Sequence, residues 1–338
     1  MKTASAPGKV ILFGEHSVIY PRHNSLAFAI SKRAYAEVSA NKSDETTINS
    51  SMFGTRTNTN YSLCNLWEQF KKSNNPRSFN EGWYSSIELV LGNIISYYKC
   101  KSGFDINIRS DLGRHLGSSS AVSEAVAAAV LAEVKNIKKV NGRFLKEILN
   151  IGLQADKLVA GSVSGTDNYI ITYGNLVKFH KNDQTNPAMP IEQHIPYDID
   201  LVIADSNVES RTGDMVEMFK ASLEKDPSKA KYLDTIDEIV ERGISCLKDY
   251  DINMFGKCMN ENHDILRELG VSHPKLEEII DIYKQYGYGG KLTGSGGGGC
   301  VIGITNDPQT LIKKLNEAGF NKTFITNLNN PGLKLEVQ

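Results

Sequence analysis

Five of the six residues from Gly294 to Gly299 are glycine, and this cluster restricts the fold more than any other feature of the sequence. Glycine loses more backbone freedom on folding than any other residue, so such a run is typical of a flexible linker. Here, however, a helical pattern ends directly before KLTGSGGGGC, and the apolar strand Cys300–Thr305 begins directly after the glycines. A loop enclosed in this way belongs to a domain core. We therefore favour close packing of its backbone against a bound ligand over a linker.

Length and charge exclude several classes of protein. The chain has 338 residues, enough for about two domains. Lys and Arg number 38 against 39 Asp and Glu, so no overall field attracts a nucleic acid or an acidic membrane surface. The five cysteines lack CxxC or Cys/His spacing, which predicts reduced, mostly buried thiols. Neither a signal peptide nor an apolar run of about 18 residues is recognisable, so we expect a cytoplasmic protein with no membrane or nucleic-acid partner.

The first half of the chain alternates strand and helix patterns. Ser118, Ser119 and Ser120 offer N-cap chemistry where a helix begins. The polar segment 41–80 predicts a surface excursion or lid, to which no chemistry can be assigned. The predicted elements are strands at Val10–Phe13, Ala34–Ser39 and Phe104–Arg109, helices at Ala121–Val134 and Phe144–Val159, a loop at Gly161–Thr166 and a strand at Tyr169–Phe179.

The second half follows a polar, proline-containing stretch at 181–197, which we interpret as the domain junction. Beyond it we expect strand Leu201–Ala204, helices within 214–287, strand Cys300–Thr305, helix Pro308–Ala318 and strand Lys322–Thr326. This order predicts an α+β fold with helices on one face of a sheet.

The segment DLGRHLGSSSA lies between a predicted strand and a predicted helix. Glycines allow close backbone approach, and the N–H groups of a helix N-terminus bind anions, so phosphate is the natural ligand. The segment matches neither a Walker A loop nor GxGxxG. A serine hydroxyl here could also bind Mg²⁺. The alternative is an ordinary N-cap containing three serines.

Two aspartates form a second candidate site. Asp156 falls on the stripe of Leu145, Ile148, Leu149 and Leu153, where a carboxylate requires a cation such as Mg²⁺. Asp167 follows a small-residue loop and would project from the start of a strand into a cleft, or else it forms an Asx-turn. Lys9, with Glu15 and His16, lies at the two ends of the first strand, where solvated side chains are the alternative.

Three segments together, APGKVILFGEHSVIY, LGSSSAV and KLTGSGGGGC, resemble the signature motifs of the GHMP small-molecule kinases in order and separation. The resemblance implies a two-domain α+β fold. An N-terminal α/β domain (1–190) would carry a phosphate loop at a helix N-terminus, and a ferredoxin-like α+β domain (191–338) would close the ATP cleft. GEH followed by SVIY is most similar to the mevalonate kinases of this family.

The resemblance also implies roles for individual residues. Asp167 would accept the proton of the attacking alcohol, and Lys9 would lower the pKa of that hydroxyl. Ser119 and Asp156 would hold Mg²⁺. The ATP phosphates would lie against Gly113, Leu116, Gly117, Ser118, Ser119 and Ser120, with the Gly294–Gly299 loop supporting them from the second domain. Substrate contacts would come from His16, Glu15, Thr212 and Gly296.

The chain departs from the family pattern at several positions. His115 replaces a usual glycine, so its Cβ would either alter the phosphate loop or add a phosphate contact. Asp156 replaces a usual glutamate, which would make Mg²⁺ ligation direct or water-mediated, and Pro21-Arg22 replaces a usual glycine. The implied reaction is phosphorylation of mevalonate by ATP. The alternatives are a kinase for phosphomevalonate, a galactose-like sugar or homoserine, or a non-catalytic nucleotide sensor. The oligomeric state stays open, with a homodimer as one alternative.

Overall fold

The computed structural model describes residues 1–160, 164–183 and 188–336. Within these ranges the strands are β1 (Lys2–Phe13), β2 (Asn24–Ala40), β3 (Glu45–Ser50), β4 (Gly54–Thr59), β5 (Phe104–Ser110), β6 (Leu176–His180), β7 (Met189–Gln193), β8 (Asp200–Asp205), β9 (Gly289–Thr293), β10 (Cys300–Ile304), β11 (Thr323–Asn327) and β12 (Lys334–Glu336). The helices are α1 (Asn60–Lys72), α2 (Tyr84–Tyr98), α3 (Ser118–Val134), α4 (Gly142–Ala160), α5 (Thr166–Tyr173), α6 (Thr212–Lys225), α7 (Lys231–Lys248), α8 (Ile252–Glu268), α9 (Pro274–Tyr286) and α10 (Pro308–Glu317).

A large mixed sheet organises the N-terminal part of the described chain. Its main path runs β12-β1-β2-β5-β3-β4, and β6 and β7 continue it from the other half of β2. Strand β2 is 17 residues long, which allows it to pair with β5 near its end and with β6 near its start. Helix α3 packs on β1 and β2, so its N-terminus lies beside the strand that carries Lys9.

The C-terminal sheet is smaller, with the described strands in the order β11-β8-β10-β9, all antiparallel. Numbered within this domain, the order is 4-1-3-2, and helices connect the first strand to the second and the third to the fourth. This is the ferredoxin-like topology, so the predicted fold class is confirmed. The two parts meet where the Thr293 hydroxyl donates to the Ile11 carbonyl at 2.8 Å.

Most predicted elements are confirmed within a few residues. In β5, Phe104, Ile106 and Ile108 are buried, and the alternate side chains face solvent. The first strand is longer than predicted, because Pro7-Gly8 forms an irregularity inside β1 rather than a turn before it. Strand β9 was not predicted as a separate element, and all five cysteines are free.

The predicted strand Tyr169–Phe179 is wrong. Its first part belongs to helix α5, and only its end forms β6. Tyr, Ile and Thr favour strands locally, but Gly165 and Gly174 adopt left-handed φ values of 80° and 79° and delimit a helix that packs against α3 and α4. Residues 161–163 of the predicted loop lie outside the described residues. Asp167 consequently lies in the first turn of a helix.

Three further expectations need correction. The buried face of α4 consists of Phe144, Ile148, Ile151, Ala155 and Leu158, so the predicted leucine stripe is displaced toward its edge. Part of the 181–197 stretch is strand β7 paired with β6, rather than an irregular junction, and residues 184–187 lie outside the described residues. The 41–80 segment contains the β3–β4 hairpin and α1.

The chain passes from the large sheet to the small one between Gln193, where β7 ends, and Asp200, where β8 begins. The domain boundary at residues 190 and 191 stays a prediction. None of the helices in the described ranges is long and apolar enough to cross a membrane.

Candidate active site

The phosphate loop ends on an α3 helix whose first turn has no side-chain cap. Gly117 is the N-cap, with a left-handed φ of 72°, and no side chain accepts a hydrogen bond there. The three serines therefore lie within the first turn, and their predicted role as N-caps is wrong. Ser118 and Ser119 line a cleft of about 890 Å³. A helix start without a side-chain cap keeps its N–H groups available for an anion, which is what phosphate binding requires.

Lys9 and Asp167 form an ion pair beside this helix start, with Lys9 Nζ 2.9 Å from Asp167 Oδ1. The Lys9 side chain is nearly buried, whereas that of Asp167 is 38% exposed. A Cβ on Gly117 would lie 3.0 Å from Lys9 Cγ, so the lysine passes directly beneath the phosphate loop. Leu116 anchors the loop to β1, because its carbonyl accepts a 2.9 Å bond from the Lys9 backbone N–H and its side chain is buried.

Asp156 lies near this pair and is hydrogen-bonded to a serine of α3, and its shared ligation of Mg²⁺ with Ser119 stays a prediction. Ser120 donates to both carboxylate oxygens, at 3.0 and 2.8 Å, while Ser119 is exposed in the cleft. Burial, opposed by the Ser120 bond and reinforced by the charge of Asp167, raises the pKa of Asp156 to about 6.

The oxygen donors in this region suit Mg²⁺. The ion prefers one or two protein oxygens, with phosphates and water supplying its remaining ligands. Among the described residues, no group of three or more His, Cys, Asp or Glu side chains is arranged to hold a metal. A carboxylate and a serine hydroxyl beside an anion site fit the ion's preference.

Glu15 is not placed for the predicted substrate contact. Its side chain is fully buried and forms an ion pair with Lys291 of β9, which is also fully buried. Desolvation raises the pKa of Glu15 and lowers that of Lys291. The Lys291 ammonium also donates to the Leu292 carbonyl at 2.6 Å. The pair connects the first and third motifs and supports the site from within.

His16 is buried at the same interface. Its Nε2 atom is 2.9 Å from the Ser295 carbonyl, and its ring stacks on Phe219 of α6 at a centroid distance of 4.7 Å. Burial lowers the pKa of His16 to about 4, so the ring is neutral at pH 7. Contact with a substrate carboxylate stays a prediction, and such a contact would involve a neutral imidazole.

The glycine-rich loop packs against the phosphate loop. A Cβ on Gly299 would lie 3.0 Å from the His115 ring. His115 itself has a left-handed φ of 67°, so the histidine adopts the conformation that glycine favours, and its added contact to phosphate stays a prediction. Gly296 is buried, its carbonyl accepts a bond from Ser210, and a Cβ there would meet the Val271 carbonyl. Gly296 therefore packs closely against Val271, and its contact with substrate stays a prediction.

The remaining predicted residues differ in exposure. Gly113 is exposed and lines the cleft with Leu116. Thr212 is exposed at the first turn of α6, where no side chain caps the helix. Sequence reasoning missed Phe53 and Trp83, which form an edge-to-face pair at 4.5 Å in the cleft wall. Phe53 lies in the 41–80 segment, whose aromatic residues were the available signal.

Comparison with known proteins now decides the family. The GHMP kinase C-terminal domain model matches residues 244–321. A mevalonate kinase of Methanocaldococcus jannaschii is 31% identical over 92% of this chain and 95% of its own length. The chain belongs to the GHMP kinase family. A Candida albicans mevalonate kinase is 28% identical over 97% of this chain and 88% of its own. The solved Methanococcus jannaschii mevalonate kinase superposes with a TM-score of 0.78 and 27% identity, covering 99% and 98% of the two chains.

As a GHMP kinase, the chain is an enzyme that uses ATP. This membership agrees with the anion-binding helix start beside the Lys9–Asp167 pair. All three segments that resemble the GHMP kinase motifs contribute residues to the candidate active site. The first supplies Lys9, the second the start of α3, and the third the glycine loop behind His115.

Proposed function

We propose that this GHMP kinase transfers the terminal phosphoryl group of ATP to the 5-hydroxyl of (R)-mevalonate, giving 5-phosphomevalonate in the mevalonate route to isoprenoids. The observation that carries the reaction type is the 2.9 Å Lys9–Asp167 contact beside the anion-binding start of α3. The choice of mevalonate is supported by the names of the relatives and by the GEH-SVIY segment.

The proposed catalytic roles follow from charge and exposure. Asp167 is exposed enough to accept the proton of an incoming hydroxyl and so become a neutral carboxylic acid. Lys9 stabilises the negative charge that develops on the alcohol oxygen. In-line phosphoryl transfer depends mostly on positioning and charge neutralisation, which a buried lysine held by an aspartate supplies without reorganisation. A nucleotide sensor that performs no chemistry needs neither residue.

We propose that the ATP phosphates bind to Gly113, Gly117 and Ser118, together with the other backbone N–H groups in the first turn of α3. Ser119 and Asp156 would hold Mg²⁺, with Ser120 orienting the aspartate through its two hydrogen bonds. When bound, the ion would neutralise charge on the phosphate oxygens. The donor chemistry supports this assignment, since both groups are hard oxygen ligands.

Three further aspects remain proposals. His16 and Thr212 are the candidates for contact with mevalonate. The five free thiols favour a reducing compartment, and we propose a cytoplasmic enzyme. A homodimer stays a prediction, which light scattering of the purified chain would test.

A coupled assay of ADP release tests the reaction. The purified enzyme is supplied with ATP, Mg²⁺ and, in separate arms, mevalonate, phosphomevalonate, galactose, homoserine or no acceptor. We expect turnover with mevalonate and a phosphate monoester as product by phosphorus NMR. ADP release with mevalonate no faster than without acceptor, or a higher kcat/KM for another acceptor, would contradict the choice of substrate.

A further inference from the structure

A carboxylic acid lies in the interior of α3, among alanines and valines. Glu124 is completely buried, as are Ala125 and Ala128 in the turn that follows it. Burying a carboxyl group is costly unless it is hydrogen-bonded. Here both oxygens have partners on α5. The Asn168 amide donates to Oε1 at 3.1 Å, and the Thr172 hydroxyl donates to Oε2 at 2.7 Å.

The third helix of this region leaves room for the carboxyl group. A Cβ on Gly152 of α4 would lie 2.8 Å from Glu124 Oε1 and 3.1 Å from the Asn168 amide nitrogen. A side chain at 152 would therefore displace the Glu124–Asn168 contact. The glycine, the acid and the amide form one fitted junction between α3, α4 and α5.

This junction is directly connected to both carboxylates of the active site. Asn168 follows Asp167 in the first turn of α5, and its side-chain amide lies close enough to Asp156 to lower the pKa of that carboxyl group. Ser120, which holds Asp156, lies four residues before Glu124 and thus on the same face of α3. The position of Asp167 relative to α3 therefore depends on the Asn168 side chain, which Glu124 holds, whereas Ser120 holds Asp156 to α3.

We propose that Glu124 is a positioning residue for phosphoryl transfer, which fixes α5 against α3 through Asn168 and Thr172 and so keeps Asp167 in place beside Lys9. The proposal rests on the proposed function of the site.

The charge of the region agrees with this role. Desolvation raises the pKa of Glu124 well above its usual range, and the neighbouring Asp156 and Asp167 raise it further against the two hydrogen bonds. Burial thus disfavours a charge on Glu124, and the two hydrogen bonds from α5 hold its carboxyl group in place.

The test compares Glu124→Gln with Glu124→Ala in the full-length enzyme. Glutamine is neutral and of the same shape, and it can accept from Asn168 while donating to Thr172, so kcat should stay within about threefold of wild type. Alanine leaves both α5 side chains unpaired in the core, so kcat should fall by at least about tenfold. The KM values should change little, because ATP and mevalonate contacts are not removed. Val130→Ala, also buried in α3, serves as the control for loss of packing alone.

Thermal unfolding and ATP binding by calorimetry are measured on the same variants. We expect Glu124→Ala and Val130→Ala both to unfold at lower temperature, with kcat reduced only in the former. A Glu124→Ala enzyme with unchanged kcat would overturn the proposal, as would a Glu124→Gln enzyme as impaired as the alanine variant. If wild type itself phosphorylates no acceptor, the proposed function fails instead, so the two failures are distinguishable.

Discussion

Lys291→Met should destabilise the fold by about 3 kcal/mol at pH 7, in the range typical of a broken buried ion pair. The variant removes the partner of Glu15 from a site where both side chains are fully buried. Lys291 is bonded to Glu15 Oε1, and among the described residues the buried Oε2 atom has no hydrogen-bond partner. The carboxyl group left behind should therefore take up a proton rather than stay charged.

The pH dependence of this loss follows from that proton. Each pH unit above the ordinary glutamate pKa of 4.5 adds about 1.4 kcal/mol to the cost of protonation. The loss is thus about 3.4 kcal/mol at pH 7 and about 0.7 kcal/mol at pH 5. In this range the folded variant binds one proton more than its unfolded chain, so its stability falls as the pH rises.

Glu15→Gln should show the opposite trend. It leaves Lys291 buried without a carboxylate, and the ammonium should lose a proton that the unfolded chain retains up to its ordinary pKa of 10.5. The cost approaches about 4.8 kcal/mol at pH 7 and decreases as the pH rises. The double variant, with neither charge, should be more stable than the two separate losses predict.

Urea unfolding followed by tryptophan fluorescence at pH 5, 6, 7 and 8 measures these differences. Lys275→Met is the matched control, because Lys275 pairs with Glu278 on the exposed surface of α9, where such pairs contribute at most about 1 kcal/mol. A Lys291→Met loss that is independent of pH, or no larger than that of the control, would refute the reasoning.

Three other changes test the site. Asp167→Asn should lower kcat by about 10²- to 10⁴-fold with ATP binding retained, as measured by ADP release and calorimetry, and unchanged turnover would remove this residue from the mechanism. Because the pKa of Asp156 is about 6, protons should compete with Mg²⁺ for this carboxylate below that pH. The acid limb of the pH profile of kcat/KM for ATP should therefore move to lower pH as free Mg²⁺ increases. An acid limb that does not move would argue against binding of Mg²⁺ by Asp156. Gly299→Ala should raise the KM for ATP, because the added Cβ would press on His115 of the phosphate loop. Gly294→Ala, which is also at positive φ but has no atom within 4 Å of an added Cβ, should leave that KM unchanged. Equal effects of the two variants would contradict the role of the Gly299–His115 contact.

Local patterns were sufficient for much of the fold. The alternation of Phe104, Ile106 and Ile108 identified β5, because a strand buries every second side chain. Strands β8, β10 and β11 and helix α10 were predicted within a few residues, because short apolar runs and helical patterns are also local signals. The strand predicted at Tyr169–Phe179 failed because local preference was overridden. Two glycines delimit α5, and burial between neighbouring helices determines its conformation.

By itself, the sequence determined the site in outline. It located the phosphate loop, the Lys9 and Asp167 candidates and the glycine loop, since each depends on residue types within one short segment. Only the tertiary structure decided how the charged groups pair. Glu15 and Lys291 are 276 positions apart, Asp156 accepts from Ser120 of a different helix, and Glu124 is held by α5. The cost of burying a charge and the identity of its partner depend on which distant segments exclude water together, which spacing along the chain does not encode.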